Sequence, residues 1–165
     1  LWKNKNHIEV VAAVRDLNES MPNAGLVIAG EGPERARLEE AICNWGLEGR
    51  VLLLGEIEDV RPILEAVDIF VLPSISETFS NATLEAMSMQ VPVVVNDTGG
   101  MSEMVQDGVD GFLYRGGDQQ RLASVLERLA ADPELRERVG RNARESVIKK
   151  FTFDRMVQEY RELLA

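Results

Sequence analysis

The sequence predicts an α/β fold in which a parallel sheet carries helices on both faces and a helical tail closes the chain. Three observations predict it. Short apolar runs alternate with amphipathic stretches of helical period. The runs are apolar throughout rather than alternating, as in strands buried on both faces. The first three runs end in glycine or proline before the next helical pattern begins.

The elements follow in order. Val10, Val14, Leu17 and Met21 share one helical face, with Asn6 as the expected N-cap. Leu26 to Ala29 is a strand closed by Gly30. Pro33 opens a helix in which Leu38, Ala41, Ile42 and Trp45 recur at helical spacing, and Gly46 stops it. Val51 to Leu54 is a strand ended by Gly55. Asp59 to Ala66 is a short helix, and Ile69 to Leu72 a strand ended by Pro73. A helix over Asn81 to Gln90, a strand over Pro92 to Val95, a helix over Met101 to Gln106 and a strand over Phe112 to Tyr114 complete the alternation.

From Asp118 onward the pattern is helical. Leu122, Val125, Leu126 and Leu129 form one stripe, and Leu135, Val139, Ala143 and Val147 a second. Phe153, Met156, Val157, Tyr160 and Leu164 form a third. Breaks fall at Pro133 and Thr152. Arg141, Arg144, Lys149 and Lys150 lie among acids and read as a solvated face.

A length of 165 residues and a 45% apolar composition suit one domain spanning 1–165. The formal net charge of -10 argues against a nucleic-acid backbone or an anionic membrane as main partner. No apolar run approaches the roughly 18 residues of a membrane span. The single cysteine, Cys43, excludes an internal disulfide, is expected buried on its helix, and fits a reducing, cytoplasmic compartment. A helical pattern within a few residues of Leu1, and no start methionine, suggest a piece of a longer protein.

Ligands of open α/β sheets bind beyond the carboxyl ends of the strands, so the turns there carry the chemistry. Gly30-Glu31-Gly32 supplies G-x-G, but Arg35 stands at the third glycine position and Pro33 intervenes. The dinucleotide fingerprint is broken. A tight strand-to-helix turn accounts for the glycines, with phosphate contact left open. Pro73 to Asn81 differs. Small residues, Ser80 and Asn81, precede a helix whose first N–H groups and partial positive charge suit a phosphate. Glu77 and Glu85 flank that point and can accept paired hydrogen bonds from sugar or ribose hydroxyls. Spacing alone also allows a solvated loop acid at Glu77 and a helix-start charge at Glu85.

The stretch from Leu72 to Tyr114 resembles the signature region of the retaining glycosyltransferases called glycosyl transferases group 1, or family 4. It shows Pro73-Ser74, Glu77, Phe79, Glu85-Ala86-Met87, Pro92-Val93-Val94, Gly99-Gly100, Glu103, Asp107-Gly108 and Gly111 in the family's order and spacing. The likeness extends to Lys5-Asn6-His7, Leu26 to Pro33 and Val51 to Gly55 and so covers nearly the whole chain. It implies a Rossmann-like domain that is one half of a GT-B fold, the half that holds a nucleotide-diphosphate sugar such as a UDP- or GDP-hexose.

Roles follow from the resemblance. Glu77 would bind the donor sugar's hydroxyls near the reacting carbon, and Lys5 would pair with the diphosphate. Amides around Phe79, Ser80 and Asn81 would hold sugar and phosphates. Glu85 would bind the ribose, the backbone near Ile57 would meet the base, and Gly99 and Gly100 would border the cleft. His7 is expected only as a helix-start residue. No cofactor and no metal are expected, the nucleotide sugar being a substrate.

Thr78 replaces the usual glycine, and Met89-Gln90 the usual Cys-Gly or Ala-Gly, which leaves sugar identity open. The family's upstream basic partner of Lys5, the first strand of the domain and the N-terminal acceptor domain are expected before Leu1. The two-domain parent would be peripheral at a membrane at most, and the fragment alone inactive. Two rivals stand beside this reading: a nucleotide-sugar module without transfer, which needs the same pocket, and another enzyme of this fold, such as an epimerase or a dinucleotide oxidoreductase, the latter disfavoured by the broken glycine fingerprint and the helix-start loop at Asn81.

Overall fold

A computed structural model describes residues 1–164. A 3-10 turn at Lys3–Lys5 leads into α1 (His7–Asp16). Then follow β1 (Leu26–Ala29), α2 (Arg35–Asn44), β2 (Val51–Gly55), α3 (Arg61–Ala66), β3 (Phe70–Leu72), α4 (Asn81–Ser88), β4 (Val93–Asn96), α5 (Met101–Met104) and β5 (Phe112–Tyr114). Three helices close the chain: α6 (Gln119–Ala131), α7 (Pro133–Lys150) and α8 (Phe153–Leu163). Every expected element is present, with most ends within about two residues of the sequence reading, the usual uncertainty of helix and strand ends; α1 is the exception, stopping at Asp16 so that Met21 lies beyond the helix.

All strand pairs are parallel, as the apolar runs and intervening helices require. The sheet is not continuous, however. β1 pairs with β2, and β3, β4 and β5 pair in that order, but no described strand joins β1 to β3. The expectation of strands buried on both faces therefore holds fully only for β4, whose four residues are all buried. Val27, Leu52 and Leu54 on β1 and β2 are exposed, since one face of this pair has nothing packed on it.

Three apolar clusters hold the layers. Val11 and Val14 of α1 pack with Ile28, Leu38, Ile42 and Val51. Val93, Val95, Ala86, Met87, Met101 and Met104 form a second cluster beneath α4 and α5. Val94 and Phe112 join α6 and α7 through Leu122, Leu129, Leu135 and Val139 in a third. Burial of an aliphatic or aromatic side chain contributes about 1.5–3 kcal/mol, so these clusters dominate the folding energy.

Some expectations are corrected. Asn6 stands at the N-cap of α1 but in a left-handed conformation (φ 51°), and its side chain caps nothing. Its Nδ2 instead donates to Glu9 Oε2 at 2.8 Å. Cys43 is exposed, because it follows buried Ile42 by one position and so points off the inner face of α2. Gly32 packs against Leu1: a Cβ there would run into the Leu1 backbone, so close chain approach accounts for this glycine. The third tail stripe buries none of its residues, and Phe153, Met156, Tyr160 and Leu164 all face outward. No described helix is long and apolar enough to cross a membrane.

Candidate donor-binding site

The N-terminal turn and the β3–α4 loop meet at the carboxyl ends of the strands. Ile75 N–H donates to the Asn4 carbonyl at 2.8 Å, fixing one segment against the other. Beside this link Lys5 Nζ donates to Glu77 Oε2, also at 2.8 Å. Buried Asn96, at the end of β4, pins the loop from below. Its Nδ2 donates to the Ser74 carbonyl at 2.8 Å and its Oδ1 accepts from Gly116 N–H at 2.7 Å. Thr98 Oγ1 donates to the Ile75 carbonyl at 3.2 Å.

Ser80 caps α4: its Oγ accepts from Thr83 N–H at 3.1 Å. This consumes the third amide of the helix, while the Ser80 N–H turns inward to Met104 Sδ at 3.5 Å. Ser80 therefore offers no N–H to a ligand, contrary to the sequence reading. The amides of Asn81 and Ala82, the first two of the helix, carry the anion-attracting character instead. Ala82 was not singled out from sequence, because only the cap geometry shows which amides stay free.

Lys5, Glu77, Phe79, Ser80, Asn81, Ala82 and Glu85 all line one cavity of about 1280 Å³. Glu77 is partly buried and held by Lys5, whereas Glu85 is exposed one turn into α4. The Phe79 ring lies edge-on to Phe151, with centroids 5.8 Å apart. Ile57, Gly99 and Gly100 do not line this space. Ile57 sits in the loop after β2. Gly100 N–H donates to the Glu77 carbonyl at 3.3 Å. Cβ atoms on Gly99 and Gly100 would run into the backbone of Glu77 and Thr78. The two glycines thus support the loop that presents Glu77 rather than border the opening.

His7 also lines the cavity. Its burial, with the Leu1 amino group and Lys5 nearby, lowers its pKa from 6.5 to about 4, so it is neutral at physiological pH. Glu9, unremarked in the sequence, is buried on α1. It accepts from Gly117 N–H at 2.6 Å and Tyr114 Oη–H at 3.3 Å. Burial and that carboxylate push the Tyr114 hydroxyl well above its ordinary value. A lone acid in the first turn of an otherwise apolar helix carries no sequence signal for such a tie. Among the described residues no group of three or more His, Cys, Asp or Glu gathers as a metal would need.

A parallel α/β domain with a free helix start and two carboxylates around one cleft is a Rossmann-like, ligand-binding domain of the kind found in GT-B glycosyltransferases. The chain belongs to the family described as glycosyl transferases group 1, which residues 1–146 match. It is 36% identical over 138 residues to the N-acetyl-alpha-D-glucosaminyl L-malate synthase of Bacillus anthracis, covering 84% of this chain and 36% of that one. Its fold superposes on Anabaena HepE, solved in complex with UDP, with TM-score 0.92 and 28% identity, over 99% of this chain and 46% of that one. It also superposes on the C-terminal domain of a group 1 glycosyl transferase (LpcC) from Francisella tularensis, with TM-score 0.81 and 26% identity, over 93% of this chain and 83% of that one. The chain spans well under half the length of the curated relatives it matches.

Proposed function

We propose that this domain is the donor-binding half of a retaining glycosyltransferase that moves a hexose from a nucleotide-diphosphate sugar to an acceptor. The acceptor would be held by an N-terminal domain of the same parent chain, working in the cytoplasm and at most peripherally at a membrane. One observation carries the reading: an ammonium, the open start of a helix and two carboxylates converge on one cleft. HepE, a relative in fold and sequence, was solved with UDP and with UDP-glucose, which supports a nucleotide sugar as the ligand class.

The chemistry follows from the charges. The bond that breaks joins the anomeric carbon to a phosphate oxygen, and negative charge grows on the leaving diphosphate. Lys5 and the Asn81 and Ala82 amides answer that charge. Glu77, on the other side of Lys5, accepts from sugar hydroxyls and holds the anomeric carbon in place. Glu85, farther along α4, accepts from the ribose. Both carboxylates face hydroxyls rather than phosphate, since like charges would repel.

Titration of the domain with UDP, GDP and NAD tests the ligand class. Nucleoside diphosphates are expected to bind more tightly than NAD, and a preference for NAD overturns the reading. Donor turnover by the two-domain parent separates transfer from mere binding.

A further inference from the structure

Glu9 is a buried acid that the donor chemistry does not use, only 6% exposed in the first turn of α1. It joins none of the ion pairs among the described residues. A carboxylate taken out of water without a cation is costly, and a well-packed apolar group in such a place is often as stable or more so. Stability therefore does not account for an acid at this position. Its hydrogen bonds do. Oε1 accepts from Gly117 N–H at 2.6 Å. Oε2 accepts from Asn6 Nδ2 at 2.8 Å and, more loosely, from Tyr114 Oη–H at 3.3 Å. Donors on both oxygens suit a carboxylate, which only accepts.

One end of this tie reaches Lys5. Asn6 follows Lys5 directly and closes the turn that carries it. Its N–H donates to the Lys3 carbonyl at 3.2 Å, and its backbone is left-handed at φ 51°. A residue with a Cβ holds that conformation only with local support. Glu9 gives the support twice, since its own N–H donates to the Asn6 carbonyl at 3.0 Å. The Lys5 ammonium hangs on a flexible four-carbon stem, so its reach is set by where the turn holds the Cα.

The other end reaches Glu77. Gly116 N–H, next to the Gly117 amide, donates to Asn96 Oδ1, and Asn96 Nδ2 donates to the carbonyl of Ser74 on the Glu77 loop. A Cβ on Gly116 would stand 2.8 Å from Asn96 Nδ2, so the missing side chain keeps that amide within reach. Two consecutive amides in the turn after β5 thus anchor both arms. One arm runs through Glu9 and Asn6 to Lys5, the other through Asn96 to the Glu77 loop. The arms meet again where Ile75 N–H donates to the Asn4 carbonyl and where Lys5 pairs with Glu77.

We propose that Glu9 is a positioning residue: through Asn6 and Gly117 it holds the Lys5 turn in register with the Glu77 loop, so that the ammonium meets the diphosphate. Glu9 does not line the cavity and acts only through these neighbours. The proposal rests on the reading of the cleft as a donor site.

Calorimetric titration of the chain with UDP and uridine tests it, in Glu9→Met, Asn6→Gly and Glu9→Gln, each with and without Lys5→Ala. Glu9→Met keeps the length of the side chain and removes both acceptors. UDP should bind about fivefold or more weakly, and uridine within about twofold of wild type. Asn6→Gly removes the link without straining the left-handed turn, and should show the same selective loss should Glu9→Met fail to fold. Glu9→Gln should keep most of the UDP affinity: its oxygen serves Gly117, and its amide can donate to Asn6 Oδ1 once that side chain flips. In the Lys5→Ala background the Glu9 and Asn6 effects should vanish, because no ammonium remains to be placed.

Equal losses for UDP and uridine, or the same loss with and without Lys5, would make Glu9 a structural residue only and overturn the proposal. Unchanged UDP affinity in a folded Asn6→Gly does so as well. Should Lys5→Ala alone weaken both ligands equally, the donor reading falls and the proposal with it. A selective Lys5→Ala beside unselective Glu9 and Asn6 variants defeats the proposal and leaves the donor reading standing.

Discussion

Lys5 Nζ and Glu77 Oε2 lie 2.8 Å apart, joining the turn before α1 to the loop after β3. The two residues are 72 positions apart in the chain. The pair holds the ammonium on the loop that leads into α4, in the cavity that Asn81 also lines, and leaves Glu77 partly buried. Exposed and half-exposed pairs are worth about 0–1 kcal/mol, so its value lies in placement rather than stability.

Lys5→Ala should therefore barely move the unfolding midpoint. It should weaken a nucleoside diphosphate by about 1.5–3 kcal/mol, the range for a bond to a charged group, and the nucleoside hardly at all. Calorimetric titration with UDP and uridine reads the difference. Equal losses for both ligands would place Lys5 away from the phosphates.

Glu85→Ala should show the reverse selectivity. Its carboxylate stands one turn along α4, so the loss of about 1–3 kcal/mol should appear with the nucleoside as well as the diphosphate. Glu77→Gln should leave nucleotide affinity nearly intact and lower kcat in the two-domain parent. A Glu77 variant with unchanged kcat would remove it from the reacting centre.

The contrast between Ser80 and Asn81 shows how much of the site the sequence discloses. Small residues before an apolar helical run mark the helix start, and the paired glutamates mark its flanks. Which residue caps and which amides stay free depends on the β-region backbone at Ser80 and on Met104, which lies 24 positions away. Gly99 and Gly100 read as cleft borders for the same reason: nothing local tells that they pass beneath the Glu77 carbonyl. The parallel α/β pattern is legible because period and punctuation are local.

Ser80→Ala should lose the cap and leave Thr83 N–H unpaired inside the protein. A cost of about 1 kcal/mol is expected. In a domain of this size that lowers Tm by about 2–4 °C. Diphosphate affinity should fall with it, since the cap orients the first turn. Calorimetry with and without UDP measures both. An unchanged Tm would mean that the cap is not formed in solution.

Gly99→Ala tests the support beneath Glu77. The glycine has φ +56°, and a Cβ there runs into the Glu77 carbonyl. Gly46 is a matched control, with φ +66° and open space around it. Gly46→Ala should cost only the backbone strain, about 1 kcal/mol. Gly99→Ala should cost more than that and also displace Glu77, lowering turnover by the parent beyond any loss of nucleotide affinity. Equal effects of the two substitutions on denaturant midpoint and turnover would show that the loop yields freely.

His7 makes stability depend on pH, and the sign is fixed by the direction of its shift. Burial comes first among the causes, followed by the Leu1 amino group and Lys5, and together they lower its pKa from 6.5 to about 4. The folded chain therefore keeps the imidazole neutral in a range where the unfolded chain binds a proton. The contribution is complete above about pH 6.5, declines as pH falls toward 4, and is gone below. Discounted for partial solvent screening, it amounts to roughly 1–2 kcal/mol between about pH 6.5 and pH 5. Carboxylates add little across that window, since they titrate mainly below it. Urea unfolding at about pH 7, 6 and 5 should show the wild type losing stability while His7→Gln stays nearly level. Parallel curves for the two proteins would mean that the ring is solvated and does not feel the cavity wall.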